Sequence, residues 1–413
     1  MNYYIYRRKA KAFFTGLLFW ICRVFPLRPD RIVMWTLEGK GGYTDSPKYI
    51  AEELLKRNRE RKKSYEIVWL TNVSGQAFPD AIKVVKDSLW NRAYYLSTAV
   101  FWVGNTRTGY GTRKRTGTTY LQTWHSIAGI KPIGEQRGNR LPEMARIVSR
   151  ADSLLIDYVL AGNEWSCRTY RSGLLYDGPI LRTGTPRCDI LFWGKEEIRK
   201  QCREKYGLAA DTCIVLYAPT FRGGSQSGRR SVSAEVGTMD FGRLIHALEA
   251  KFGGSWHVLL RLHPQVADQA EAIMQGEQND RVVNVSRYPD MNELLAASDM
   301  LITDYSSSIF ESMLMKQPGF LYAEDIREYV QDRGELMFCL EDMPFPVAYD
   351  MDGLERRIAD FDRGSYEKML ERFMDRLGVF EDGQASGRVV DFMEERMLHT
   401  ARDVSSIGGR YEG

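Results

Sequence analysis

The stretch Leu301-Ile302-Thr303-Asp304-Tyr305-Ser306-Ser307-Ser308-Ile309-Phe310-Glu311 decides how the rest of the chain is read. An apolar run ends in an acid, an aromatic and three hydroxyls, then passes at once into the helical pattern Ile309 to Met315. This predicts a buried strand, a tight turn and a helix start. Unpaired backbone N–H groups and the positive end of the helix dipole gather at such a start, and serine hydroxyls add donors, so the place suits phosphate. Serine is equally favoured as a plain N-cap, which is the blander reading of the same residues.

Working outward, the same alternation recurs on both sides. Arg31 to Thr36, Glu66 to Leu70, Ile82 to Val85, Val100 to Val103 and Tyr120 to Trp124 read as strands. Pro47 to Arg57 reads as a helix, with Ser46 as its cap and Pro47 at its first position. After a charged, helical break over 192–206 the strand pattern restarts at Cys213, Trp256, Arg281, Met300 and Gly319. Strands alternating with helices predict parallel sheets covered on both faces, here as two doubly wound α/β domains with a boundary near residues 186–200. A length of 413 residues also favours two cores over one. The Gly- and Ser-rich run 223–231 reads as a surface loop.

In open α/β sheets, ligands bind off the carboxyl ends of strands. One strand delivers His125 there, another Thr220 and Arg222, a third Arg261 and His263, and the opening stretch delivers Asp304 and its serines. Two imidazoles, two guanidiniums and several hydroxyls suit a phosphate-rich ligand with a candidate base. Each alone has a plainer reading: a histidine after a strand as a structural hydrogen bonder, and Arg261 as the partner of Asp304. Asp350-Met351-Asp352 and Asp360-Phe361-Asp362 flank helical stretches and read as caps, not as a metal site. The chain has neither Gly-x-x-x-x-Gly-Lys-Ser/Thr nor Gly-x-Gly-x-x-Gly, which argues against an ATPase or a nicotinamide enzyme. A net charge of +3 gives no basic excess of the kind nucleic-acid binding needs. The six cysteines show no metal spacing and read as reduced, small core residues.

Residues 1–31 are different in character. Arg7, Arg8, Lys9, Lys11, Arg23, Arg28 and Arg31 surround the apolar run Ala12 to Cys22. That run falls short of the ~20 residues a bilayer span needs. No small-residue cleavage site follows it. It reads either as an interfacial helix on an anionic cytoplasmic leaflet or as a terminal helix packed on the protein's own core.

In this order the segments resemble the CDP-glycerol glycerophosphotransferase family of teichoic-acid and capsule synthesis. The pattern GKG-x-x-D-x-PKYI is similar to Gly39 to Ile50, Q-x-WHG to Gln122 to Ser126, and G-x-PRND to Gly184 to Asp189. YAPT-x-R is matched by Tyr217 to Arg222, R-x-HP by Arg261 to Pro264, ITDYSS by Ile302 to Ser307, and DG-x-AS-x-R by Asp382 to Arg388. The resemblance implies the GT-B architecture, two Rossmann-like domains with parallel sheets facing a central cleft. It implies transfer of glycerol phosphate from CDP-glycerol, or ribitol phosphate from CDP-ribitol, to a hydroxyl of a lipid-linked saccharide acceptor, with release of CMP and no cofactor or metal.

By position, the resemblance makes His125 the general base and lets His263 with Arg261 hold the pyrophosphate and the leaving CMP. Ser306 and Ser307 would bind phosphate. Arg187, Thr220 and Arg222 would complete the donor site, Trp124 and Ser126 would border the substrate, and Glu311 would take ribose hydroxyls. The domains would be a membrane-associating segment over 1–30, an acceptor domain over 31–190 and a donor domain over 191–413, leaving open that the last helices cross back. The enzyme would sit peripherally on the cytoplasmic face of the cell membrane and bind no nucleic acid. Two departures bear on the substrate. Ser126 replaces the glycine after the histidine, and Ile127-Ala128-Gly129 replaces Thr-Pro. The chain is short for a polymerase of this family, which leans the reading towards a primase. The rival readings are a GT-B glycosyltransferase with a nucleotide sugar and a non-catalytic scaffold.

Overall fold

The computed structural model describes residues 3–61, 64–220, 239–262 and 279–408. Two compact units form. The first contains Met1–His125, Glu143–Asp189 and Phe380–Gly413, and the second contains Ser126–Pro142 and Ile190–Val379. The chain leaves the first unit directly after His125 and returns to it for good at Phe380.

The first unit holds a seven-stranded, all-parallel sheet in the order β3-β2-β1-β4-β5-β6-β7. Its strands are β1 (Arg28–Trp35), β2 (Glu66–Thr71), β3 (Ile82–Lys86), β4 (Ala99–Gly104), β5 (Thr119–Gln122), β6 (Tyr158–Leu160) and β7 (Ile180–Leu181). Ile32 to Trp35 and Ala99 to Gly104 are buried without a break, the mark of strands covered on both faces. Ile32, Met34, Trp69, Val103 and Leu121 form the core with Ile50 and Leu54 of helix α2 (Asp45–Arg61). Val389, Val390 and Met393 of the helix Ala385–Gly408 complete it.

The second unit holds a six-stranded, all-parallel sheet in the order β10-β9-β8-β11-β12-β13. Its strands are β8 (Cys213–Tyr217), β9 (Trp256–Leu260), β10 (Val282–Asn284), β11 (Met300–Thr303), β12 (Gly319–Tyr322) and β13 (Val347–Ala348). The opening stretch is therefore β11, a turn, and the helix Ser308–Leu314, as its sequence predicts. Two parallel, doubly wound sheets are the Rossmann-like pair of the GT-B class. In each sheet the strand order reverses once, between β1 and β4 and between β8 and β11. Loops diverge at such a switch point and leave a crevice beyond the carboxyl ends.

The first 21 residues include helix α1 (Tyr3–Ile21), which packs on helix α3 (Leu89–Thr98) of the first unit. Ile5, Ala12, Thr15 and Phe19 face inward, and Ser97 Oγ donates to the Phe19 carbonyl. No helix among the described residues is long and apolar enough to cross a membrane.

Candidate active site

In the first unit the site is assembled from loops that follow β1, β4, β5 and β7. His125 stands after β5, partly buried, with its ring stacked at 4.2 Å and 37° against Trp124. Trp124 itself is buried and has φ +54°, a left-handed backbone that a bulky residue adopts only where the surroundings enforce it. The Arg107 guanidinium, from the loop after β4, lies over the Trp124 ring at 5.6 Å. His125 Nδ1 is 2.9 Å from the carbonyl oxygen of Asn105. A carbonyl only accepts, so Nδ1 carries the proton and Nε2 keeps its lone pair. Burial pushes the imidazole below its usual pKa, and Arg187 and Arg107 add to this, while the Asn105 carbonyl and the Asp45 carboxylate oppose it. The result is a neutral ring with a free basic nitrogen at neutral pH.

Arg187 is buried in the same unit and pairs with Asp45 Oδ2 at 3.2 Å. Two further joints bring distant motifs together. Asp189 accepts the Ala385 and Ser386 N–H groups at 2.9 and 2.8 Å, capping the helix Ala385–Gly408. Glu381 accepts the Thr185 N–H at 2.9 Å. A Cβ on Gly162 would lie 1.6 Å from Glu381 Oε1, so only glycine at that position leaves room for the carboxylate.

In the second unit the switch point joins the ends of β8 and β11. Asp304 accepts the Thr220 N–H at 3.0 Å and the Thr220 hydroxyl at 3.0 Å, as well as the Tyr305 N–H at 2.6 Å. Thr220 therefore braces this turn. Ser306 Oγ receives the Ser308 hydroxyl at 3.0 Å, and Ser307 precedes the helix with no side-chain cap bond. Tyr305 stacks on Tyr329 at 3.9 Å and donates to Asp325 at 3.0 Å, anchoring the turn from behind. Arg261, just past β9, donates through Nη1 to the Tyr288 carbonyl and not to Asp304, so the plain pairing read from the sequence is not the one that forms. Burial pushes its pKa down to about 10 despite Asp290 nearby.

Among the residues singled out from sequence, Trp124, His125 and Arg187 come together in the first unit. Ser126, Thr220, Arg261, Ser306, Ser307 and Glu311 lie in the second. Glu311 is buried, where helical periodicity alone would leave it exposed. His263 and Arg222 lie outside the described residues. Ile127 and Ala128, the departures after the histidine, are buried, and the Met337 N–H fixes that loop by donating to Ile130 O at 2.8 Å. Asp350 and Asp362 are helix caps, accepting from Gly353 N and Ser365 N at 2.6 and 2.8 Å. Sequence reasoning passed over Asn105, although it stands directly after an apolar strand, and Asp45, although it lies inside the GKG pattern.

Comparison with known proteins places these motifs in one lineage. A teichoic acid poly(glycerol phosphate) polymerase of Staphylococcus epidermidis is 30% identical over 381 residues, covering 89% of this chain and 51% of the polymerase. The chain thus spans about half the length of that relative. A teichoic acid glycerol-phosphate transferase of Staphylococcus aureus is 28% identical over 368 residues, covering 84% of this chain and 88% of the transferase. Among solved structures, a histidine variant of the wall teichoic acid polymerase TagF soaked with CDPG superposes with a TM-score of 0.78 at 25% identity, over 97% of this chain and 100% of that one. Residues 17–395 match the profile described as CDP-Glycerol:Poly(glycerophosphate) glycerophosphotransferase. The match runs through both sheets and through every motif above, and the chain belongs to that family.

Proposed function

We propose that the protein transfers glycerol phosphate from CDP-glycerol to a hydroxyl of a membrane-linked glycan acceptor, releasing CMP, in the synthesis of a teichoic-acid-like or capsular polymer. The observation that carries this reading is His125 held by Asn105 with Nε2 free, within a chain matched over residues 17–395 to glycerophosphotransferases. Nε2 takes the proton of the acceptor hydroxyl. The oxygen's electron pair attacks the phosphorus that bears glycerol, and the anhydride P–O bond breaks with its pair leaving on CMP. The developing negative charge calls for fixed positive groups. Arg261 supplies one, with Ser306 and Ser307 as phosphate donors, His263 beside the leaving group, and Glu311 and Arg222 completing the nucleotide site. The S. aureus relative, named a glycerol-phosphate transferase, supports the glycerol-phosphate transfer itself, and a primase-like mode that adds one or a few units is part of the same proposal.

The membrane contact falls to α1. Its outward positions Tyr3, Tyr6, Phe13, Phe14, Leu17, Trp20 and Ile21 are all exposed, the reverse of an ordinary surface helix, with Arg7, Lys9 and Lys11 beside them. This is the pattern of a helix lying in the interface of an anionic bilayer, here the cytoplasmic leaflet.

The test is to incubate the protein with CDP-glycerol, CDP-ribitol or a UDP-sugar and short lipid-linked acceptors, and to weigh the products. CMP release with a glycerol-phosphate mass increment is expected. UDP release from a sugar donor would overturn the reading. CDP-ribitol is the second donor to try, because a poly(ribitol-phosphate) polymerase and a ribitol-phosphate primase are also among the relatives.

A further inference from the structure

Asp45 lies inside the GKG pattern and takes no part in the proton and phosphoryl transfers above. Asp45 opens α2 with φ +61°. Among the described residues six non-glycines have positive φ, and two of them, Leu175 and Lys316, follow helix C-termini where such a backbone is ordinary. The other four, Leu37, Glu38, Asp45 and Trp124, lie in the loops after β1 and β5, on the carboxyl side of the sheet around His125. Unfavourable backbone gathered at one place is characteristic of a site whose geometry is enforced. The Asp45 carboxylate is gripped from two sides: Oδ1 by the Ser46 N–H at 2.6 Å and Oδ2 by Arg187 at 3.2 Å. The Arg187 N–H in turn donates to Ser46 Oγ at 3.4 Å.

The loop that carries Asp45 is tied to the support of the histidine: the Leu37 N–H donates to Asn105 Oδ1 at 2.9 Å, and the Asn105 carbonyl accepts from His125 Nδ1 at 2.9 Å. Among the charges bearing on His125 are Asp45 from the start of α2, Arg187 from the segment after β7, and Arg107 from the loop after β4. Two are positive and disfavour the imidazolium that a general base must become. Asp45 is the negative member of these three. We propose that Asp45 is a positioning residue of the transfer reaction, a carboxylate locked by Arg187 and the Ser46 N–H so that its charge meets the imidazolium formed when His125 takes the acceptor proton. The proposal rests on His125 being the base.

Asp45→Asn isolates the charge, because asparagine tolerates the left-handed backbone and its carbonyl still accepts the Ser46 N–H. Two quantities are measured in the full chain: the acidic limb of kcat/KM against pH, and the His125 ring pKa by NMR titration. Both should move together to lower pH. The kcat should fall by up to about 100-fold, the low end of general-base catalysis. KM for CDP-glycerol should stay within about twofold. Arg187→Gln, a second variant that does not depend on Asp45→Asn folding, should move the ring pKa the opposite way. An unmoved ring titration in either folded variant overturns the proposal. Full turnover in His125→Ala overturns the base reading instead, and that outcome is distinct because the ring titration needs no turnover.

Discussion

His125 Nδ1 and the carbonyl oxygen of Asn105 lie 2.9 Å apart, and this contact fixes which ring nitrogen can act as a base. Asn105 is itself fully buried and held by the Leu37 N–H on its Oδ1 at 2.9 Å, so the carbonyl cannot easily turn away. His125→Ala should lower kcat by roughly 10²–10⁴-fold, the usual worth of a positioned general base. CDP-glycerol binding, read by calorimetry, should survive. A variant that turns over normally would exclude the ring from the reaction.

The pH profile follows from the same environment. Burial holds the His125 pKa below its usual 6.5. A base works only when neutral, so kcat/KM should rise with pH through a midpoint below 6.5 and be flat above it. A midpoint above that value would show the charges balanced differently around the ring.

Glu381 should leave a mark on stability. Burial pushes its carboxyl up to about 7 from an ordinary 4.5. Its Oε1 is buried with no hydrogen-bond partner among the described residues. The native state therefore keeps a proton that the unfolded chain has released, so stability is greatest below the unfolded pKa and falls as pH rises towards 7. Between pH 5 and pH 8 the wild type should lose ~1–3 kcal/mol more than Glu381→Gln in denaturant melts. Equal slopes for the two proteins would refute this.

Arg57 ties α2 to the helix Ala385–Gly408. Its guanidinium reaches Asp391 at 2.6 Å, Glu394 at 3.3 Å and the Gly387 carbonyl at 3.0 Å, and the Arg57 and Glu394 side chains are largely shielded from water. Arg57→Ala removes one cation from the largely buried Glu394 carboxylate, which keeps Arg61 at 3.1 Å and the Tyr65 hydroxyl at 3.0 Å. The expected cost is about 1.5–3 kcal/mol, the usual worth of a hydrogen bond to a charged group, read from thermal unfolding. A loss under ~1 kcal/mol would mean the pair behaves as a surface bridge.

The outward face of α1 separates membrane binding from folding. Phe13, Phe14 and Trp20 are 67%, 66% and 66% exposed. Changing all three to serine should abolish sedimentation with vesicles rich in phosphatidylglycerol and leave the melting temperature unchanged. Retained binding would move the anchor elsewhere.

Much of this architecture is written locally in the chain. The passage from Met300 to Leu314 reads directly as strand, turn and helix, because alternation and helical periodicity are properties of adjacent residues. The four polar strand ends were visible for the same reason. What the sequence hides is long-range. Asp45 and Arg187 meet across 142 positions, and Asp189 caps a helix that begins 196 positions later. Strand order is equally remote from local pattern, so nothing local shows that β1 lies beside β4, or that this places Asn105 beneath His125. Local rules were also overridden: Ser46 looks like the cap of α2, yet its hydroxyl receives Arg187 N–H while the helix starts at Asp45. Glu311 is polar on a face that tertiary packing buries.

Val389, Val390 and Met393 close the core around Ile32, Trp69 and Val103, so the first sheet stays uncapped on the ribosome until residues past 390 have been made. All six strands of the second sheet are synthesised in the meantime. The unit translated first is thus the one finished last. At ~5–20 residues per second, the wait between β7 and the closing helix is about 10–40 s. Throughout it, an apolar groove on a parallel sheet stands open to chaperones and to other nascent chains.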